Sequence, residues 1–416
     1  MDKAKKNLPI LADRDHCTGC SACFNSCQHN ALSMQADTEG FLVPVIDTDK
    51  CIGCKLCEKH CPEVNPIERL DYSRQKAYAI INYEDRKLSS SGGAFSMLAK
   101  WILGKGGIVF GASMDGNLKV SHICIESEKE LPKLRGSKYV QSNLNDTYSK
   151  IRQALRQGRL VLFSGTGCQV GGLYAFLNGK RYEGQLYTVD IVCHGVPSQG
   201  IFDAYLEKLK KSTRLRRDAG SANIEGFRFR KLDSWDYRPA VELAESKWKI
   251  LTLEDNAYMD AFFEGYTFRE SCFRCQYCNT QRVGTFTLAD FWGVGQLRMK
   301  FKPNVASGVS LLIDNTGILP TIKNELGNVY IEERTLKEAV AKQTNLKHPV
   351  KRSDKRDIAY RLMMDPNVSL SEFAKQLGLP YKVTPKYLIK KMFKEMIYAF
   401  GLYNVYKTIA YKLGKA

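Results

Sequence analysis

The stretches CTGCSACFNSC (residues 17–27) and CIGCKLCEKHCP (residues 51–62) decide how this chain begins to fold. In each, four cysteines follow at steps of three, three and four residues. Three cysteines on one tight loop can grip three irons of a [4Fe–4S] cube, and the fourth leaves the loop to ligate the other cube. The spacing therefore assigns Cys17, Cys20, Cys23 and Cys61 to one cluster, and Cys51, Cys54, Cys57 and Cys27 to the other. The flanks repeat too. Asp15 and Asp49 each stand two residues before a first cysteine, while Gly19 and Gly53 let the backbone bend around sulfur. Gln28 stands where the second run has Pro62. Structural zinc would use paired Cys-x2-Cys units, four ligands to an ion. Two complete ferredoxin-type runs argue against it.

A chain of 416 residues is too long for this unit alone and suggests two or three units. Hydrophobic residues make up 44%, enough for a sizeable packed core and too many for wholesale disorder. The start, MDKAKKNLPILADRD, lacks an apolar secretory region, and no apolar run reaches the length of a membrane span. With fourteen cysteines in tight Cys-x2-Cys spacings, metal thiolates are expected rather than disulfides, in a cytoplasmic protein. The net charge of +18 is uneven. Residues 1–70 hold 8 Lys and Arg against 10 Asp and Glu, whereas residues 351–416 hold 14 against 5. A basic body suits an anionic cofactor, an acidic redox partner, a lipid surface or nucleic acid. KKSTRLRR (residues 210–217) is the one run that hints at nucleic acid, but no phosphate loop or nuclease carboxylate set accompanies it, so nucleic acid is not expected as a partner.

The cysteine-rich unit is expected to end near residues 66–73, giving a ferredoxin-like domain over 1–70. AYAII, from residue 77, reads as a strand. SSSGGAFSMLAKWIL (residues 89–103) reads as a Ser-rich N-cap, two glycines and an amphipathic helix, a start that can bind phosphate. Two β-rich runs flank Asp115-Gly116 as a hairpin, with Cys124 in the second run expected to be a buried small hydrophobe. LRGSKYVQS (residues 134–142) packs cations and hydroxyls densely enough to suit an anionic, ring-bearing ligand. RLVLFSGTGCQVGGLYAFL (residues 159–177) reads as strand, Gly-rich turn and helix with Cys168 in the turn. Its glycine spacing is one residue longer than the dinucleotide fingerprint. QLYTVDIVCHGVPS then ends a strand at Cys193-His194. Strand carboxyl ends are where α/β sheets place ligands. SCFRCQYC adds Cys272, Cys275 and Cys278, so five thiols are available for a third metal, in a mix that looks more like a buried cluster than zinc. TFTLADFWGVG follows as a strand and an aromatic–Gly corner.

SSGGAF, GSKYVQS, GTGCQVGGL, DIVCHGVPS and SCFRCQYC…RVGTFTLADFWG, in that order, resemble the coenzyme F420 hydrogenase/dehydrogenase beta-subunit family across residues 75–295. The resemblance implies an α/β multidomain architecture. The dicluster domain would be followed by a mixed α/β flavin-binding core, its first part over residues 71–150 and its second, with the cluster cysteines, over 151–345. It implies FAD and a third [4Fe–4S] cluster in the core. By motif, Ser91, Gly92, Gly93, Ser137, Lys138, Tyr139, Gln141, Ser142, Thr166 and Gln169 would line the flavin. Cys168, Cys193, Cys272 and Cys275 would hold the core cluster, with Cys278 spare or a substitute. Gly167 departs from the proline common in relatives, and Thr285 and Ala289 depart from Asp and Gly.

The function expected is an iron–sulfur flavoprotein oxidoreductase. It would exchange electrons with a low-potential donor or acceptor protein and a hydride with a small organic substrate, a deazaflavin or another acceptor. His194 or Lys138 would handle the proton. The alternative is an electron-transfer subunit of a larger complex with no substrate of its own. Residues 346–416 are expected to form a basic helical tail. There Leu388, Met392, Met396 and Phe400 recur every four residues among lysines, a pattern for a peripheral membrane or partner contact.

Overall fold

The computed structural model describes residues 7–68, 70–212, 223–231, 237–243, 247–253, 255–296 and 299–380, with residues 389, 392, 393, 396 and 397 beyond. The first unit contains helix α1 (Ala22–Ser26), strands β1 (Leu32–Ala36) and β2 (Leu42–Ile46), and helix α2 (Leu56–Lys59). β1 and β2 pair antiparallel, Leu32 opposite Ile46. The repeat seen in the cysteine spacing is present in the backbone. Ser21 and Lys55, the fifth residue of each run, share φ 58° and ψ 14° before their helices. Gly19 and Gly53 both take positive φ, 66° and 74°.

The core is built on one large sheet, assembled from β3 (Lys76–Asn82), α3 (Ala94–Gly104), β4 (Ile108–Met114), β5 (Val120–Ile125), α4 (Thr147–Arg156), β6 (Val161–Thr166), α5 (Gly167–Leu177), β7 (Leu186–Ile191) and α6 (Gln199–Lys210). A small antiparallel sheet of β8 (Gly226–Arg228), β9 (Ala240–Leu243) and β10 (Lys247–Ile250) follows. The chain then returns to the large sheet through β11 (Phe286–Asp290), β12 (Ser310–Asp314) and β13 (Val329–Arg334). The large sheet has the order β13-β3-β12-β11-β7-β6-β4-β5. Its centre, β4, β6, β7 and β11, is parallel, with antiparallel strands at both flanks. The sequence explains the difference. Val161, Leu162 and Phe163 are all fully buried, the continuous apolar run of a strand covered on both faces. In β13 no residue is fully buried, as suits an edge.

This topology puts the carboxyl ends of β4, β6, β7 and β11 on one edge. β3 also ends there, because it is antiparallel to β12 and β12 to β11. The segments following β3, β6, β7 and β11 begin at that edge. They contain the SSSGG run, Cys168, Cys193 and Trp292.

Three local expectations are corrected. Helix α3 is capped not by a serine but by Gly93, in the left-handed region at φ 85°, with no side-chain cap. Gly92 is required by packing: a Cβ there would stand 2.2 Å from Ile80 O and 2.4 Å from Ser310 N. Cys168 does not sit in a turn, since β6 runs straight into α5 and Thr166 is the cap, in a reciprocal capping box with Gln169. Cys124 is exposed at the end of the edge strand β5, although Val120 and His122 on the same face are buried. The Asp115-Gly116 hairpin is present, joining β4 to β5.

Within 346–416, the helices Lys355–Met364 and Leu370–Leu377 pack with α6 and the helix Ala257–Phe263 in a single hydrophobic cluster containing Phe202, Tyr258, Tyr360 and Phe373. That part of the expected tail belongs to the body. Leu388 and Phe400 lie outside the described residues, as do residues 213–217 of the basic KKSTRLRR run. Among the described residues no helix is long and apolar enough to cross a membrane.

Candidate iron–sulfur centres

The first unit contains two pockets. One is lined by Cys17, Cys20, Cys23 and Cys61 with Pro62. The other is lined by Cys27, Cys51, Cys54 and Cys57. The fold thus exchanges the fourth cysteine between runs, the crossing that the spacing predicts. Burial raises the Cys57 thiol to about 11, with Cys27 and Cys54 adding repulsion. Burial raises Cys20 and Cys23 further, with Cys17 and Cys61 adding to it. Bare thiols there stay protonated, so a cationic cluster is what would make them thiolates. The two sets differ in exposure: Cys54 is exposed, whereas Cys17, Cys20, Cys23 and Cys61 are all buried.

The buried set faces the core. A Cβ on Gly172 of α5 would stand 2.9 Å from both Cβ and Sγ of Cys20, so the helix presents bare backbone to that cysteine. Arg269, 2% exposed, ties the units together. Its Nε donates to Cys17 O at 2.6 Å, its Nη2 to Leu42 O at 3.0 Å and its Nη1 to Gln141 Oε1 at 3.0 Å. Arg356, also buried, makes a two-pronged contact with Glu39.

Four further thiols of the core are near enough to influence one another electrostatically. Cys193, after β7, is raised by burial and then by Cys272, Cys168 and Cys275. Burial with Cys275 and Cys168 lifts Cys272 to about 12, and burial with Cys275 lifts Cys168 to about 12. The Thr166 hydroxyl lies 3.1 Å from the Cys168 sulfur. Cys168 also neighbours Cys20, which links this group to the first unit. Cys278 is buried beside Cys275 and accepts a long contact from Asn345 Nδ2 at 4.0 Å. Among the described residues no three such side chains converge as a site for a single ion would require.

Two residues that carry this geometry were not picked out from the sequence. Asp190, at the end of β7, is wholly buried and accepts from Arg282 Nε and Nη2 at 3.1 and 3.0 Å and from the backbone N–H of Val283 and Gly284 at 3.1 and 3.0 Å. Arg282 in turn donates to Ile191 O at 2.9 Å and to Tyr277 O. This pair pins the Cys275–Cys278 loop to the strand that delivers Cys193. The signal was present as an Asp a few residues before one motif cysteine and an Arg a few after another. Only the fold shows that they meet. Thr285, one of the departures noted above, exchanges hydrogen bonds with Thr188 across β7 and β11.

The residues that the resemblance assigns to a flavin lie near the same edge, but several polar side chains are already engaged. Lys138 Nζ donates to the carbonyls of Lys133, Leu134 and Arg135 at 3.3, 3.0 and 2.9 Å, and burial pulls it down to about 7. Gln141 Nε2 donates to Thr18 O at 2.8 Å. Ser142 meets His122 at 2.6 Å, and Gln169 Oε1 accepts from Thr166 N at 3.0 Å. Ser91 donates to Val309 O at 3.1 Å, and Ser137 N donates to Ser90 Oγ at 3.0 Å. The Tyr139 ring packs on Phe262, 4.7 Å between centroids. His194 is near the core thiols, its Nδ1 3.1 Å from Asn345 Oδ1 and its Nε2 3.2 Å from Phe263 O. Both partners are acceptors when Asn345 turns its nitrogen toward Cys278.

A dicluster unit docked on a mixed α/β core through a cysteine-lined contact defines an iron–sulfur electron-transfer protein. Residues 16–65 match the 4Fe-4S dicluster domain, which accounts for two [4Fe–4S] clusters. Residues 158–338 match the C-terminal part of the beta subunit of coenzyme F420 hydrogenase/dehydrogenase. Among solved structures the protein is similar to a chain of the F420-reducing [NiFe] hydrogenase complex from Methanosarcina barkeri. That match has 15% identity and a TM-score of 0.42, over 74% of this chain and 95% of that one. No curated protein matches.

Proposed function

We propose that the protein is an electron-transfer subunit or module with three [4Fe–4S] clusters, feeding a redox site at the carboxyl edge of the large sheet. Cys27, Cys51, Cys54 and Cys57 would hold the outer cluster, Cys17, Cys20, Cys23 and Cys61 the inner one, and Cys168, Cys193, Cys272 and Cys275 the core one. The observation that carries this reading is the contact between Cys20 and α5, the helix that contains Cys168. Exposed Cys54 suits exchange with a partner protein, and exposed Ile10, Val45 and Ile52 near it suit a docking face. A beta-subunit family implies such partners.

FAD is the finer part of the proposal. Ser137 and Tyr139 are the side chains that best fit it. Ser91, Lys138, Gln141, Ser142 and Gln169 are committed to protein groups, so they would act by shaping the edge rather than by direct contact. When bound, FAD would convert one-electron into two-electron chemistry. His194, backed by Asn345 and Phe263 O, is the candidate to hold a proton there. The test is stepwise anaerobic reduction of the flavin-supplemented protein, in parent and Cys272→Ser forms. The reading expects flavin bleaching to slow in the variant while two clusters still reduce. Equal bleaching rates would remove the core cluster from the route.

A further inference from the structure

Arg230 is 5% exposed. Its Nη1 donates to Asp290 Oδ2 at 3.0 Å, but its Nε and Nη2, both buried, have no hydrogen-bond partner among the described residues. A buried donor without an acceptor is costly, and two on one charged group call for an explanation. The Tyr139 hydroxyl is a neighbour but does not close a well-aligned hydrogen bond to either nitrogen. Nε and Nη2 share one edge of the planar guanidinium. They are the fork that meets both oxygens of a carboxylate or a phosphate together.

What surrounds the fork is aromatic. The guanidinium lies 4.2 Å over the Tyr237 ring, and the Tyr237 hydroxyl donates to the same Asp290 oxygen at 2.9 Å. Tyr237 packs on Trp292 at 5.8 Å and meets Phe263 edge-on at 5.0 Å. Phe263 is 41% exposed, so the rings form a shelf leading from solvent toward the buried fork. Asp290 closes β11 on the carboxyl edge, and Phe263 O is the carbonyl that meets His194. The cation, the shelf and the histidine thus belong to one neighbourhood.

We propose that Arg230 anchors a binding site for a small ring-bearing anion. Nε and Nη2 would hold both oxygens of its carboxylate or phosphate, and its ring would lie against Tyr237 and Trp292. This names the substrate class for the redox site proposed above and rests on that reading only for the ligand's redox role. Asp290 orients the guanidinium by occupying Nη1, so Arg230 acts as the binding residue and Asp290 as its positioning residue.

The test is titration calorimetry on the full-length, anaerobically purified protein with benzoate, phenyl phosphate and neutral benzamide. One of the two anions is expected to bind at least about tenfold more tightly than benzamide, and which one does identifies the oxyanion. Arg230→Gln should weaken that anion by about tenfold to a hundredfold. Tyr237→Leu, which leaves Arg230 in place, should weaken it several-fold and serves if the arginine variant does not fold. No binding by either anion, equal binding of benzamide, or parent-like affinity in the variants would overturn the site. Binding is read without turnover. A failure here is therefore distinct from a failure of the three-cluster reading, which iron content decides.

Discussion

Replacing Asp190 with Asn tests the brace behind the core cysteines. The change keeps the shape but removes the charge that faces Arg282. Asp190 is 0% exposed and Arg282 2%, so solvent screens little. The carboxylate accepts four N–H groups, two from the guanidinium and two from Val283 and Gly284. Asn offers one acceptor oxygen and places an NH2 against donors. Breaking a buried pair from one side costs about 3–5 kcal/mol, because the remaining charge is uncompensated. That is a large fraction of a stability on the order of 5–15 kcal/mol. Chemical denaturation should read the loss directly in Asp190→Asn. Iron analysis should show a deficit confined to one cluster, because the brace holds the Cys275–Cys278 loop and not the first unit. Pairing Asp190→Asn with Arg282→Met should recover part of the loss. A single variant within about 1 kcal/mol of the parent, or iron lost from the dicluster unit instead, would refute the reasoning.

His122, 6% exposed, is pulled down to about 4 by burial, with the Ser164 carbonyl opposing. Nε2 donates to Ser164 O at 2.9 Å, leaving Nδ1 to accept from Ser142 at 2.6 Å in the neutral ring. Folding therefore favours the neutral form. Its contribution is complete above the unfolded pKa near 6.5 and fades as pH falls toward 4, by about 3 kcal/mol in all. Denaturation midpoints across that window should slope in the parent and be flatter in His122→Gln; identical slopes would count against it. Gly172→Leu should push the first unit off α5, costing about 1–3 kcal/mol. It should also weaken magnetic coupling between the inner and core clusters in reduced samples, and unchanged electron paramagnetic resonance spectra would argue against the contact.

The ferredoxin unit was legible because its chemistry is local. Ligand spacing, Gly19 and Gly53 are fixed within short loops, so Cys27 and Cys61 could be assigned across runs from sequence alone. The apolar β6 and the Asp115-Gly116 hairpin were legible for the same reason. The caps were less so: SSSGG suggests a serine cap, but the close approach of Gly92 to Ile80 and Ser310 hands that role to Gly93. Cys124 lies on the same face of β5 as buried Val120 and His122, so the alternation points to burial, and its exposure shows only in the folded edge strand. Asp190–Arg282, Arg269 and Arg230 were illegible because each acts across about 50 residues or more. A charged residue in an apolar run carries no sign of its partner until the sheet order is known.

The measurement that bears most directly on the account is iron, acid-labile sulfide and flavin content of one anaerobically purified sample. Three cubes predict about twelve irons and about twelve sulfides per chain, with one FAD. About eight irons, unchanged by Cys168→Ser or Cys272→Ser and without flavin after FAD is supplied, would contradict it. The core thiols would then hold no cluster, and the first unit would have no redox site to serve.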